Sequence, residues 1–162
     1  MGQVQHRPPG RSRGLRVIAA TPAHVPSWLS LVREVEPLLG PMPDFEDILG
    51  RNIARGSAFC VLLNERVAGG MLVGGPTPAD RWIRWLAVTA ADRRRGVGGA
   101  LVEKALRLFP PPCTVSLHTF GEDNPGGAAA RRLYLRYGFE PRAMADPGPE
   151  GGTRQLFVLS RA

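Results

Sequence analysis

One stretch, Ala87–Leu101 (AVTAADRRRGVGGAL), most constrains what this chain of 162 residues can fold into. It joins an apolar strand candidate, Trp82–Val88, to an amphipathic helix candidate that begins at Val97. A strand that turns directly into a helix presents unpaired backbone N–H groups and the positive end of the helix macrodipole at one place, and glycines let a ligand approach that backbone. The stretch therefore predicts an anion site, and the triplet Arg93–Arg95 adds charge that suits several phosphates.

The turn alone does not settle the ligand. It is not a Walker A loop, because no Gly-Lys-Ser/Thr follows, and it lacks the third glycine of a dinucleotide fingerprint. A solvated basic turn before a helix is the alternative interpretation that the loop by itself leaves open.

Composition and charge restrict the class of protein. A hydrophobic content of 43% indicates a globular domain, and no apolar run reaches the roughly 18 residues of a membrane span. The N-terminus has no hydrophobic signal segment, so we expect a cytoplasmic protein with no membrane partner. Residues 1–14, rich in Pro, Gly and Arg, predict a flexible basic arm before one domain at 15–162. Three arginines of this arm contribute to the net charge of +7, which leaves +4 for the domain, so a nucleic-acid partner is not favoured.

The two cysteines, Cys60 and Cys113, lie inside strand candidates. Neither has the spacing of a metal ligand or a redox motif. We therefore expect two buried thiols and no metal site.

Apolar periodicity, caps and breakers predict the order of elements along the chain. Strands are predicted at 15–20, 58–63, 67–73, 82–88, 113–120, 140–145 and 154–160, and helices from Pro22 to a break at Pro37, over 45–55, over 97–109 and from Pro125 to Tyr137. This order predicts an α/β (α+β) fold, with a mixed, mostly antiparallel sheet of about seven strands flanked by four helices. The strands 82–88 and 113–120, joined by the helix 97–109, form its parallel unit.

Two separated segments resemble a single family. Leu86-Ala87-Val88 followed by Arg93-Arg94-Arg95-Gly96-Val97-Gly98 resembles the acyl-CoA signature of the GNAT superfamily of N-acetyltransferases, in which Arg/Gln-x-x-Gly-x-Gly/Ala follows the fourth strand. Downstream, Asn124, Arg132-Leu133-Tyr134 and Tyr137-Gly138-Phe139 resemble its second signature, although Asn124 stands further from Tyr134 than the commoner spacing. The resemblance covers residues 15–162 and implies the GNAT fold, with acetyl-CoA as the acyl donor.

The resemblance also implies where the donor binds. Backbone amides of Arg94–Gly99 would hold the pyrophosphate of CoA, and the strand Leu86–Val88 would bond the pantetheine arm and the acyl carbonyl. The Val88 N–H is the expected donor to the oxyanion at the attacked thioester. The predicted cofactor-binding residues are Leu86, Ala87, Val88, Arg93, Arg94, Arg95, Gly96, Val97, Gly98, Gly99, Asn124 and Tyr134.

Transfer to an amine also needs a proton for the departing CoA thiolate and a base for the amine. The resemblance assigns the acid to Tyr134, as a tyrosine positioned beside the sulfur; the ordinary pKa is about 10 for tyrosine and about 8.5 for a thiol. The alternative is an aromatic that packs on the sheet. His118 is the candidate base, with a hydrogen-bonded structural histidine as the alternative, and a helix N-cap is the favoured role of Asn124.

The sequence thus predicts an N-acetyltransferase that moves an acetyl group from acetyl-CoA to a primary amine by direct attack in a ternary complex. The acceptor is an amine-bearing small molecule or a protein N-terminus, and a homodimer is compatible with the fold. The alternative is a catalytically silent acyl-CoA-binding regulatory module. The segments Glu34–Phe45 and Ala143–Thr153 are expected to set acceptor specificity, and the carboxylates there are either amine-binding groups or solvated charges: Glu34, Glu36, Asp44 and Glu46.

Overall fold

The computed structural model describes residues 14–162, so the arm predicted at 1–14 lies outside the described residues except for Gly14. Within the described range the chain forms seven strands and four α-helices, as predicted. The strands are β1 (Val17–Ala19), β2 (Ala58–Leu63), β3 (Arg66–Thr77), β4 (Asp80–Val88), β5 (Cys113–Phe120), β6 (Glu140–Ala145) and β7 (Arg154–Arg161). The helices are α1 (Val25–Leu39), α2 (Phe45–Arg55), α3 (Val97–Leu108) and α4 (Ala128–Arg136).

The strands form one sheet in the order β1-β2-β3-β4-β5-β7-β6. Every neighbouring pair is antiparallel except β4 and β5, which run parallel and are connected through α3. The mixed, mostly antiparallel sheet and its parallel strand–helix–strand unit are therefore confirmed.

Helices cover both faces of the sheet, and each face has its own apolar core. The α3/α4 face packs side chains of those two helices on the strands, among them Val97, Leu101, Ala105 and Leu133. On the α1/α2 face, side chains of those two helices pack on the strands, among them Trp28, Leu31, Phe45 and Leu49. This double cover explains why β2 and β3 are apolar on both sides.

Three of the boundaries that differ from the sequence-based ones lie at prolines. Helix α1 continues past Pro37 to Leu39, because a proline in the last turn removes a single N–H donor and the Gly40 N–H still bonds the Glu36 carbonyl at 2.7 Å. The connection between the strands predicted at 67–73 and 82–88, which contains Pro76 and Pro78, is shorter than expected, since β3 and β4 extend as a hairpin until Thr77 pairs with Asp80. The last helix begins as a 3-10 turn at Pro125–Gly127 before α4.

Candidate active site

Strands β4 and β5 separate after a short paired segment, and this opens a cleft through the sheet. Their parallel pairing is confined to Asp80–Trp82 with Thr114–Ser116. On its other edge β4 has a bulge at Arg84, because Ile83 pairs with Val73 and Trp85 with Leu72. The cleft has a volume of about 470 Å³. Its lining includes Leu39, Met42, Ile83, Arg84, Trp85, Leu86, Leu117, His118, Thr119, Phe120, Ala130, Tyr134, Asp146, Pro147 and Arg154.

The end of β4 presents backbone groups to this cleft. The Thr89 N–H bonds the Ala68 carbonyl of β3 at 2.8 Å, and Ala87 stands opposite Gly70 in the same register. Because successive residues of a strand direct their N–H and C=O groups to opposite edges, the backbone of Leu86 and Val88 faces away from β3, toward the side that β5 has left. This is the arrangement expected for hydrogen bonds to an extended ligand such as a pantetheine arm.

The turn between β4 and α3 has the geometry of an anion site. Arg94 and Gly96 adopt positive φ angles of 66° and 82°, and the first hydrogen bond of α3 runs from the Ala100 N–H to the Gly96 carbonyl at 2.9 Å. The N–H groups of the preceding residues have no carbonyl one turn back, so they point out of the helix end. A ligand phosphate at this end would meet these donors and the helix dipole together.

Charges around the turn are only partly paired. Arg93, Arg94 and Arg95 are exposed, whereas Asp92 is buried and accepts a hydrogen bond from the Thr89 hydroxyl. Arg95 lies 3.6 Å from the Asp92 carboxylate, so one of the three guanidinium groups is partly neutralised. The remaining positive charge is available to an anionic ligand.

The first turn of α3 also contacts α4. A Cβ at Gly98 would lie 2.9 Å from Leu133, and one at Gly99 would lie 2.9 Å from the Tyr137 hydroxyl, whose oxygen is 3.3 Å from the Gly99 carbonyl oxygen. These two glycines therefore let α4 approach α3 closely, a packing role that the sequence interpretation had not included.

Tyr134 lines the cleft on the α3/α4 face. The residue is 6% exposed, and its ring makes edge contacts with Phe139 and Phe157 at centroid distances of 5.8 and 6.4 Å. Its hydroxyl has no hydrogen-bond partner within residues 14–162. Burial raises the pKa of Tyr134 above the ordinary tyrosine value, so the hydroxyl stays protonated. The side chain thus packs on the sheet and also lines the cleft. Its role as the acid stays a prediction.

His118 lines the same cleft from the opposite side of β5. Because side chains alternate along a strand, and Leu117 belongs to the core of the α3/α4 face, His118 faces the α1/α2 side. It is exposed and makes an edge contact with Trp82 at 5.3 Å between centroids. The histidine and Tyr134 therefore reach the cleft from different faces of the sheet.

Asn124 has the N-cap role that was favoured from the sequence. Its side-chain oxygen accepts a hydrogen bond from the Gly126 N–H at 3.0 Å, at the start of the 3-10 turn before α4. The predicted contact between Asn124 and the cofactor remains a prediction.

Two connections supply the far wall of the cleft, and sequence reasoning located them only in part. Leu39 and Met42 come from the α1–α2 connection, and Asp146 and Pro147 from the β6–β7 loop. None of the four carboxylates weighed near the first connection lines the cleft; Glu34 instead accepts a hydrogen bond from the Ala90 N–H. Asp146 belongs to the segment Ala143–Thr153 that was expected to set acceptor specificity, although it was not named individually; the hairpin pairing of β6 and β7 brings it to the cleft.

Other classes of site find no support in the described residues. Cys60 and Cys113 are free and buried, as expected, and burial raises the pKa of the Cys60 thiol to about 11. Over residues 14–162 there is no group of three His, Cys, Asp or Glu side chains that could hold a metal ion. In the same range no helix is both long and apolar enough to span a membrane.

Comparison with known proteins identifies the family. The family model described as an acetyltransferase (GNAT) domain matches residues 55–141, which include the β4–α3 turn and Tyr134. The chain belongs to the GNAT acetyltransferase family. It is therefore an acyltransferase that uses acetyl-CoA, and the predicted family, enzyme class and cosubstrate are confirmed.

Solved structures of GNAT acetyltransferases share this fold. A GNAT acetyltransferase from Bacillus cereus is 16% identical, with a TM-score of 0.71 over 91% of this chain and 98% of that one. Ard1 from Thermoplasma volcanium is 21% identical, with a TM-score of 0.74 over 91% and 98%. The ribosomal-protein-S18-alanine N-acetyltransferase from Escherichia coli is 18% identical, with a TM-score of 0.70 over 91% and 94%. A comparison with curated proteins gave no match.

The geometry of the GNAT site fits acetyl-CoA. The open N-terminus of α3 and the exposed arginines beside it suit the phosphates, while the free edge of β4 at Leu86 and Val88 suits the amide groups of the pantetheine arm. The gap between β4 and β5 then leads from the α3/α4 face to the α1/α2 face, where an acceptor can approach.

Proposed function

We propose that this GNAT enzyme acetylates a primary amine by direct attack within a ternary complex. The observation that carries the proposal is the position of the Tyr134 hydroxyl. It is unpaired among the described residues and lies in the cleft bordered by the free edge of β4. An amine that enters from the α1/α2 face would thus meet the acetyl carbonyl of the donor next to the Tyr134 hydroxyl, which can interact with the sulfur as it leaves.

Acetyl-CoA supplies an acetyl thioester, which the acceptor amine converts to an amide with release of the CoA thiol. The backbone amides of Arg94–Gly99 would hold the pyrophosphate, assisted by the side chains of Arg93 and Arg94. Leu86 and Val88 would fix the arm through backbone hydrogen bonds, and the Val88 N–H would stabilise negative charge on the carbonyl oxygen. In this arrangement Ala87 pairs with Gly70 of β3 and so holds the edge of β4 that faces away from the cofactor.

Tyr134 would donate a hydrogen bond, and then a proton, to the sulfur as it leaves. Since burial raises the pKa of Tyr134, the phenol remains neutral at physiological pH, and complete proton transfer to a thiolate is less favourable than it would be from an exposed tyrosine. Hydrogen bonding to the developing thiolate is therefore the main contribution that we assign to this residue.

His118 would accept the proton that the amine loses, either directly or through a water molecule. Its place on the α1/α2 side of the cleft puts it on the side from which the amine comes, whereas Tyr134 lies on the side of the donor. The proton released by the amine balances the proton gained by the CoA thiol. The proposed acceptors include a small molecule and a protein N-terminus, the class named for the S18-alanine enzyme. A cytoplasmic location, a homodimer and the absence of a nucleic-acid partner stay predictions.

The test is a transfer assay with a panel of amines that covers amino acids, amino acid amides, polyamines and short peptides. Release of CoA thiol and a mass increase of one acetyl group on the amine are measured together. Direct attack predicts that thiol release requires an amine and that initial-rate plots intersect. Thiol release without any amine product, or parallel plots with an isolable acetyl-enzyme, would contradict the proposal.

A further inference from the structure

Arg84 lines the cleft on the α1/α2 side. It is the bulge residue of β4, and a Cβ built on Gly74 of the neighbouring strand would lie only 2.6 Å from its Nε. The side chain of Arg84 thus passes over the backbone of β3 next to a glycine, whose missing side chain leaves room for it.

The Arg84 guanidinium has no anionic partner in residues 14–162. It forms none of the ion pairs of that range, although it is exposed and lines the cleft. The other cleft arginine, Arg154, is already bonded to the Glu150 carboxylate and to the Leu39 carbonyl. Asp146, on the β6–β7 loop, is the carboxylate that lines the cleft, and it too lacks an ion pair there. The acceptor side therefore contains one free positive and one free negative charge.

An aromatic stack provides the apolar wall beside these charges. Trp85 follows Arg84 in the chain and lies on Trp28, with ring centroids 5.9 Å apart, and on Phe45 at 4.9 Å. Leu39 and Met42 continue the apolar surface from the α1–α2 connection. An acceptor that binds here would bury an apolar side chain against this wall and keep its charged groups near Arg84 and Asp146.

We infer that the acceptor is a small amino acid-like molecule, a primary amine with an apolar side chain and a carboxylate that binds Arg84. This inference rests on the proposed function and names its acceptor class. An arginine binds a planar carboxylate through two parallel hydrogen bonds, and Asp146 attracts the ammonium form of the amine before it loses its proton. The same arginine disfavours a polyamine, because that acceptor brings only positive charge to the site.

The experiment compares leucine, methionine and phenylalanine, each with its amide and its decarboxylated amine. The amide keeps the amine and side chain and imitates a peptide N-terminus, so it isolates the contribution of the carboxylate. Rates are expressed per concentration of neutral amine, because amidation lowers the pKa of the amine. We expect kcat/KM for the acid to exceed that for the amide by about 10- to 100-fold, the range for a charge-assisted hydrogen bond.

Variants test whether Arg84 causes the preference for the acid over the amide. Arg84→Met should abolish the preference for the acid without changing the KM for acetyl-CoA, and Arg84→Lys should keep part of it. Arg66→Met, which removes an exposed arginine at the start of β3, is the matched control and should behave as the wild type. Equal use of acid and amide by the wild type, or an unchanged preference in Arg84→Met, would overturn the inference and leave the proposed function intact. A lack of transfer to every amine would overturn both.

Discussion

The Glu34 carboxylate on α1 accepts a hydrogen bond of 2.8 Å from the backbone N–H of Ala90, just after β4. Ala90 begins the 3-10 turn Ala90–Asp92, which leads into the arginine triplet. The bond therefore connects the helix on the acceptor side of the sheet with the segment that we propose holds the pyrophosphate.

Removal of this connection should weaken donor binding and leave the fold intact. For Glu34→Ala we expect the KM for acetyl-CoA to rise by about 3- to 10-fold, because the lost hydrogen bond positions the turn without touching the donor and a typical hydrogen bond contributes about 0.5–1.5 kcal/mol. Glu34→Gln should have a smaller effect, since its side-chain oxygen can still accept. Glu36→Ala, a change at an exposed glutamate of the same helix, is the control. An unchanged KM in Glu34→Ala would show that the turn is held without this bond.

Two tyrosines of the second signature should separate catalysis from stability. Tyr134→Phe should lower kcat by 10-fold or more, because it removes the group that interacts with the leaving sulfur. The Tyr134 hydroxyl has no partner in the described residues, so the stability and the affinity for acetyl-CoA should remain close to those of the wild type. The Tyr137 hydroxyl donates to Glu103 at 2.9 Å. Tyr137→Phe should therefore lower the free energy of unfolding by about 0.5–1.5 kcal/mol and leave kcat unchanged. Steady-state kinetics and urea unfolding of both variants give the comparison, and undiminished kcat in Tyr134→Phe would remove this hydroxyl from the mechanism.

The buried phenol should make the protein sensitive to alkaline conditions. The pKa of Tyr134 is raised by burial in the folded state and is about 10 in the unfolded chain, so the folded state keeps a proton that the unfolded state releases. Its contribution to stability is complete below pH about 10 and is lost as the pH rises further, by up to about 1.4 kcal/mol per pH unit. Urea unfolding between about pH 9 and pH 11 should show a shallower decline in Tyr134→Phe than in the wild type. Equal declines would mean that this phenol ionises as easily in the folded state as in the unfolded one.

Local patterns predicted those parts of the fold that depend on local chemistry. Helix α2 begins after Asp44 and β5 spans Cys113–Phe120, both as predicted, because caps, breakers and apolar runs mark their ends. Gly138 adopts a positive φ of 90° just after α4, and the Phe139 N–H bonds the Tyr134 carbonyl, as expected for a helix that ends at a glycine.

The acceptor side depends on contacts between distant segments, which local patterns do not report. The bulge at Arg84 arises from the register between β3 and β4, and Gly74, which pairs with Trp82, has no side chain to meet the Arg84 Nε. Asp146 enters the cleft only because β6 pairs with β7. The turn after β4 and His118 could be located from the sequence, whereas the roles of Arg84 and Asp146 on the acceptor side could not.

The central claim of this account is that acetyl-CoA binds at the turn Arg93–Gly99, and a thermal-shift titration tests it most directly. Gly96→Glu places a carboxylate where the pyrophosphate should lie, and Gly56→Glu makes the same change at another exposed glycine with a positive φ, of 72° against 82° for Gly96. A hundredfold excess of ligand over its Kd stabilises a protein by about 2.7 kcal/mol, so saturating acetyl-CoA should raise the Tm of the wild type and of Gly56→Glu by about 5–10 °C. The Gly96→Glu variant should show no rise. A rise in Gly96→Glu equal to that of the wild type would contradict the claim.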